Sequence, residues 1–362
     1  MRVLLVSPAM GVGGAERVVV GLAQGLPAHG AHVALAAPAG ALDSELSPRT
    51  ARFILRAGGR SPLQLARLTG GIARTLRSVR PDLVHAHNPK ASLASGLALR
   101  TLGGPRPPLL ATFHGVTPSE YAPAVRLLAL ADHVACVSED ARAQLVGAGA
   151  APENLTVIEN GVPLPPEPSA PEQAALDREL GLDGGAVVTA VGRLVAQKAH
   201  DRFLHMAATV AALRPGTRFL VLGDGPRRAE LELLSRQLGL SDQVAFLGQR
   251  QDARAIIGRS DLLVFSSDWE GLSIAALEAL AAGVPVVSTP VQGMRVLHES
   301  GAGEVVGEQT AEALAGSVLR LLEDAGARRR MSEAGRGLIA GRFGVERMTA
   351  AYAALYARIC AV

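Results

Sequence analysis

Short apolar runs alternate along this chain with longer stretches in which apolar residues recur every three or four positions. RVLLVSP (2–8) reads as a strand, GVGGAERVVVGLAQGLPAHG (11–30) changes to helical spacing, and HVALAAP (32–38) returns to a strand. DLVHAH (82–87), LLATFHG (109–115) and HVACVSE (133–139) repeat the strand pattern, with helical segments at PLQLARLTGGIARTLRSV (62–79) and SEDARAQLVGAG (138–149). Strands and amphipathic helices in alternation predict a parallel sheet covered on both faces.

ENLTVIENGVPLPPEPSAPEQ (153–173) holds a short strand and then a proline run with scattered acids, the best domain boundary in the chain. Beyond it the alternation restarts. AVVTAVGRL (186–194), TRFLVLGDG (217–225), VAFLGQR (244–250), DLLVFSS (261–267) and VPVVSTP (284–290) are strand candidates. DRFLHMAATVAALRP (201–215), RRAELELLSRQLG (227–239), DARAIIGRS (252–260) and SIAALEALAAG (273–283) are helical. The expected fold is α/β, with two Rossmann-like domains in series, residues 1–165 and 170–342. Ligands of such sheets gather outside the C-terminal strand ends. If the domains face each other, the cleft between them is the expected active site.

A length of 362 residues agrees with two cores rather than one. The two cysteines, Cys136 and Cys360, supply neither a disulfide framework nor a metal cluster, which points to a cytoplasmic setting. The opening MRVLLVSPAMGVGGAE lacks the long apolar region of a signal peptide, and no run reaches 18 apolar residues. Charge changes the picture more. From Leu46 to Pro81 there is no acid, while Arg49, Arg52, Arg56, Arg60, Arg67, Arg74, Arg77 and Arg80 are all present. This 49–80 block suits anionic headgroups or an anionic substrate, and equally a solvated face balanced by acids elsewhere. With aromatics at 3% and no recognition motif, nucleic acid is not expected.

Candidate chemistry sits at the strand ends. GVGGAE (11–16), with Gly13 and Gly14, allows a tight turn and offers a helix N-terminus to an anion, although it departs from the dinucleotide fingerprint and HVALAAP ends without a ribose-binding acid. His114 ends a strand beside Gly115, where proton transfer or a neutral hydrogen bond is available. His85 and His87 share a strand face like a metal pair, but no third ligand has recognisable spacing, so no metal is expected. Arg193 and Lys198 in GRLVAQK suit a diphosphate, and GDGPRR places Gly225 in a second glycine turn at the next strand end.

Glu270 and Glu278 stand eight positions apart in DWEGLSIAALEALAAG. A helix through both would separate them by roughly 12 Å, against about 5 to 9.5 Å for carboxylates that share one glycosidic bond, although a loop curling back would shorten this. One extended ligand fits better. Its diphosphate would meet the helix N-terminus around Gly271, Leu272 and Ser273, with a glutamate on either side for hydroxyls, as in a sugar nucleotide.

With GVGGAE, TFHG, VSE, ENGV, GRLVAQK, GDGP, VAFLG and above all the E-x7-E element followed by AAGVPVVST, the chain resembles the retaining glycosyltransferases of family 4, of GT-B architecture. The resemblance implies that the second domain binds the nucleotide sugar and the first the acceptor. It assigns the diphosphate to Arg193 and Lys198, the ribose to Glu278 and the transferred sugar to Glu270. Gly14 would approach the donor, and His114 would contact the sugar near its reacting face. It implies a helix within 343–362 (FGVERMTAAYAALYARI) returning to the first domain, and a metal-independent donor site, consistent with the absence of any D-x-D sequence. UDP is favoured over GDP or ADP by family frequency. The acceptor is expected to be a lipid-linked glycan, a polysaccharide precursor or a small metabolite, and the protein a monomer or homodimer with peripheral contact to the inner face of the membrane. A nucleotide-sugar epimerase of similar fold is the alternative. Where the family often has two glycines and then Pro-Glu after VVST, this chain has VQGMRVLHE (291–299), which bears on the local shape of the donor site.

Overall fold

A computed structural model describes residues 1–56, 61–165 and 169–361. Arg60 of the arginine block, residues 166–168 of the proline run and the final Val362 lie outside the described residues. The chain divides into two units, Met1–Gly161 with Val345–Val362, and Val162–Gly344.

The first unit is a seven-stranded sheet: β1 (Arg2–Val6), β2 (His32–Ala37), β3 (Ala51–Ile54), β4 (Leu83–His87), β5 (Leu109–Phe113), β6 (His133–Cys136) and β7 (Leu155–Val157). All pairs are parallel, in the order β3-β2-β1-β4-β5-β6-β7. The second unit repeats the plan with β8 (Val187–Val191), β9 (Arg218–Leu222), β10 (Val244–Gly248), β11 (Leu262–Phe265), β12 (Val286–Ser288) and β13 (Gly303–Val305), again all parallel, in the order β10-β9-β8-β11-β12-β13. Both are doubly wound sheets whose direction of winding reverses between the first and fourth strand. That reversal opens a crevice at the C-terminal strand ends, between β1 and β4 in one unit and β8 and β11 in the other.

The central strands are buried on both faces, which is why they read as continuous apolar runs. Val3 to Val6 and Leu262 to Val264 are at most 1% exposed. The terminal helix Val345–Cys360 belongs to the first unit, as expected, and packs against helix Gly14–Gly25. Glycines allow that approach: a Cβ on Gly25 would stand 2.5 Å from Thr349 Cγ2, and one on Gly21 3.2 Å from Val345 Cγ2. The helix buries Met348, Tyr352, Leu355 and Tyr356 in the first unit's core.

Two strands fall outside the sequence pattern. β3 is a four-residue edge strand that buries none of its residues fully, and β13 is three residues containing Gly303 and Glu304. Neither carries enough apolar alternation to be read locally.

Candidate active site

In the second unit the loops leaving β8 and β11 meet at the winding reversal. Asp268 N donates to Gln197 O at 2.9 Å, and the Ser266 hydroxyl donates to Lys198 O at 2.9 Å. Arg202 braces the second loop through the Ser266 carbonyl and the Asp268 carboxylate. Lys198 ends the short turn Ala196–Lys198. Ala199 then takes φ 45°, a left-handed conformation uncommon for a side-chain-bearing residue, before helix His200–Leu213 begins.

This frame brings Lys198 Nζ to 2.5 Å from Glu270 Oε1, with the two side chains only 15% and 7% exposed. Gln197 Nε2 adds contacts to Trp269 O at 3.1 Å and Glu270 Oε2 at 3.4 Å. A charged pair this enclosed must recover its lost hydration through geometry, so the carboxylate of Glu270 is firmly oriented. Arg193 is exposed on the same loop and has no side-chain partner among the described residues, which leaves its guanidinium available to a ligand. The glycine turn of β9 lies against this loop. A Cβ on Gly223 would sit 1.9 Å from Gly192 O, and one on Gly225 2.5 Å from Leu194 O, so only glycine permits the approach.

Helix Ile274–Ala281 follows, with Ser273 at its N-cap making no side-chain capping bond. The amides from Gly271 to Ser273 therefore stand at an N-terminus that its cap residue does not close. The helix starts four residues after Glu270, so the roughly 12 Å helical rise does not separate the two glutamates; only the Ile274–Glu278 part is helical. What separates them is their partners. Glu270 pairs with Lys198, whereas Glu278, 8% exposed, accepts from Arg254 Nε at 2.6 Å.

The divergent VQGMRVLHE segment supports the same loop. Gly293 N donates to Glu270 O at 3.1 Å, Met294 is fully buried, and a Cβ on Gly293 would lie 2.1 Å from the carbonyl carbon of Gly271. The segment thus packs directly on the backbone that carries Glu270 and Leu272.

In the first unit, Gly13 is the N-cap of helix Gly14–Gly25, at the end of the loop that leaves β1. His114 follows β5 directly, with His87 at the end of the adjacent β4 and its Nδ1 3.3 Å from His114 Nε2. Burial pushes His85 down to about 3 and His114 down to about 4, and lowers His87 as well, so all three rings are neutral at pH 7. His85 is no metal ligand, because its nitrogens are occupied by the Tyr356 and Thr112 hydroxyls at 2.7 Å each. Among the described residues there is no group of three His, Cys, Asp or Glu suited to a metal ion.

The structure therefore gathers Arg193, Lys198, Gly225, Glu270, Gly271, Leu272 and Ser273 around one strand-end crevice, with Glu278 further along the helix. It places Gly13, Gly14 and His114 in the other unit. Three further residues escape local reading. Arg254, on the short helix Ala253–Ile257, holds Glu278, and Gln197, in the turn Ala196–Lys198, holds Glu270. Asn88 adopts φ 96° at the end of β4 while its side chain caps the next helix through Ala91 N.

Comparison with known proteins agrees with this fold. Residues 172–338 match the model of glycosyl transferases group 1, and residues 12–164 match glycosyltransferase family 4. The chain is 35% identical over 172 residues to the lipopolysaccharide core biosynthesis glycosyltransferase LpsE of Rhizobium meliloti (47% of this chain, 49% of that protein). It is 32% identical over 190 residues to the alpha-D-kanosaminyltransferase of Streptomyces kanamyceticus (52% and 49%). The chain spans about half the length of these curated relatives. The crystal structure of Anabaena HepE in complex with UDP-glucose superposes with a TM-score of 0.84 at 23% identity, covering 99% of this chain and 100% of that one. By these matches residues 12–164 carry a domain of the glycosyltransferase family 4 type and residues 172–338 one of the glycosyl transferases group 1 type, in the two-domain Rossmann-like fold of the structural neighbours.

Proposed function

We propose that the protein moves a sugar from a UDP-sugar to an acceptor hydroxyl with retention of the anomeric configuration. The observation that carries this reading is the enclosed Lys198–Glu270 pair beside the N-terminus of helix Ile274–Ala281 at the second sheet's winding reversal. A diphosphate there meets Arg193, Lys198 and the amides of Gly271, Leu272 and Ser273, with Gly225 allowing close approach. Glu278, oriented by Arg254, takes the ribose hydroxyls, and Glu270 takes the hydroxyls of the transferred sugar. Gly13 and Gly14 are assigned to the donor and His114 to the transferred sugar. UDP as the carrier is supported by the UDP-glucose held by HepE.

In this mechanism the acceptor oxygen bonds to the anomeric carbon on the face from which the phosphate oxygen departs, and that oxygen takes the acceptor's proton. The protein's work is orientation of two substrates and stabilisation of charge on the leaving diphosphate. Arg193 and Lys198 supply that positive charge, so the reading requires no metal. The acceptor is a lipid-linked glycan, a polysaccharide precursor or a small metabolite; the named relatives include enzymes of lipopolysaccharide core and kanosamine transfer.

Thermal-shift titration with UDP, GDP, ADP and their sugars tests the donor, since ligand at 100 times Kd stabilises the native state by about 2.7 kcal/mol. UDP compounds should raise Tm most; a shift confined to GDP or ADP compounds removes the UDP assignment. Lys198→Ala should lower turnover about 100-fold or more with the fold intact, and undiminished turnover would sink the diphosphate site.

The same proposal includes peripheral contact with an anionic membrane. Arg52 does not take part, because it is tied to Asp43 and to the carbonyls of Ala37, Pro38 and Phe53. Arg56, Arg67 and Arg74 are exposed and line a cleft of about 1210 Å³ between β3 and helix Pro62–Val79, with Ile54 and Leu63 exposed alongside. Each arginine near an anionic surface adds about 1 kcal/mol. Reversing Arg67, Arg74 and Arg77 to Glu should therefore abolish sedimentation with phosphatidylserine vesicles at low salt; equal sedimentation ends this reading.

A further inference from the structure

Three histidine rings stand in a row at the ends of β4 and β5. The centroids of His85 and His87 are 4.2 Å apart, and His87 and His114 lie edge to edge, their planes 24° apart and their centroids 5.6 Å apart. His85, fully buried, is pinned at both nitrogens by the Tyr356 and Thr112 hydroxyls, and Thr112 is in turn 2.9 Å from the Tyr352 hydroxyl. It forms a fixed wall against His87. Among the described residues His87, 1% exposed, has one polar contact, from Nδ1 to His114 Nε2 at 3.3 Å, while its own Nε2 is buried without a partner there.

A neutral imidazole carries one N–H, so this pair has two arrangements. In the first, His87 donates its Nδ1–H to His114 Nε2, the orphan on His87 is a lone pair, and His114 carries Nδ1–H. In the second, His114 donates its Nε2–H to His87 Nδ1, and the orphan on His87 is a buried N–H. A buried N–H without an acceptor is the rarer and costlier defect, so the first arrangement is preferred. We propose that His87 is a positioning residue that holds His114 in the Nδ1–H tautomer, so that His114 meets a bound sugar as a hydrogen-bond donor to one of its oxygens. The importance of this for transfer rests on the reading of His114 as a sugar contact; the tautomer itself does not.

Long-range proton–nitrogen spectra of the full chain labelled with 15N-histidine resolve the two tautomers without substrate. At pH 7, His114 should show a protonated Nδ1 and a bare Nε2. In His87→Phe, which keeps a ring but removes the donor, His114 should become a mixture of tautomers. His87→Asn, which places an amide N–H near the old Nδ1, should restore the single form. A wild-type His114 protonated at Nε2 overturns the proposal, and needs no variant to be observed. In UDP release from UDP-glucose, His87→Phe should lower kcat about tenfold with little change in KM, the loss of one hydrogen bond, and His87→Asn should recover it. The expected tautomer with a fully active His114→Ala would support the positioning by His87 while removing the sugar contact instead.

Discussion

His85, His87, His114 and His200 are all pushed below the ordinary histidine range, each first by burial. A base that folding makes harder to protonate takes its proton more readily in the unfolded chain. Stability is therefore complete above the unfolded value near 6.5 and is lost as pH falls toward the folded values, about 4 for His114 and His200. Each such ring contributes a slope of about 1.4 kcal/mol per pH unit in that window. Urea midpoints should drop steeply between pH 6.5 and 5, and His200→Leu should flatten the fall; a level profile would show that these rings are solvated. The same scale shows what the sequence made legible. Lys198, Arg193, Glu270 and His114 were legible as candidates because they stand at strand ends, where a chain position implies a crevice. Arg254 was not, because nothing local couples residue 254 to Glu278; only the fold brings its Nε to 2.6 Å. Arg254→Ala should raise KM for UDP-glucose with kcat nearly unchanged, as expected when the orienting partner of the proposed ribose contact is lost. A fall in kcat at constant KM would place Glu278 in the chemistry instead.

At the scale of elements, the segments read from their periods are helices and strands in the structure, and several that the sequence leaves unmarked have a physical reason. Helix Pro89–Leu99 buries Ala91, Ser92, Ala94, Ser95, Gly96, Ala98 and Leu99, so no polar face marks its turn. β3 and β13 take their strand identity from neighbours in the sheet. Glycines at element contacts were equally silent, since their reason is a backbone elsewhere. Gly293 is the most consequential of these: a Cβ would strike the Gly271–Leu272 backbone, which has no rotamer through which to yield. Gly293→Ala should displace the loop bearing Glu270, weakening UDP-glucose binding at least tenfold for a modest loss of stability. Wild-type affinity by calorimetry would mean that the loop shape is not part of the donor site.

For the whole molecule, the last helix determines whether the first unit can exist. Tyr352 and Tyr356 are at most 1% exposed within a core otherwise built from the first 161 residues. An aromatic side chain buries about 150 to 250 Å², so at about 25 cal/mol per Å² each contributes on the order of 4 to 6 kcal/mol. Together they match the whole net stability of an ordinary domain, about 5 to 15 kcal/mol. Their hydroxyls also serve His85 Nδ1 and Thr112; without Tyr356, His85 Nδ1 would be left buried and would keep only the Nε2 bond to Thr112 on that ring. A chain ended at Gly344 should therefore lose the cooperative unfolding of residues 1–161, seen as rapid amide exchange through β1, β4 and β5. The core cluster that buries Val188, Leu262 and Val264 is drawn from the second unit's own residues, so β8 and β11 should stay protected. If β1 and β4 remained as protected as in the full chain, the terminal helix would be a surface appendage and the burial of its tyrosines would carry no weight.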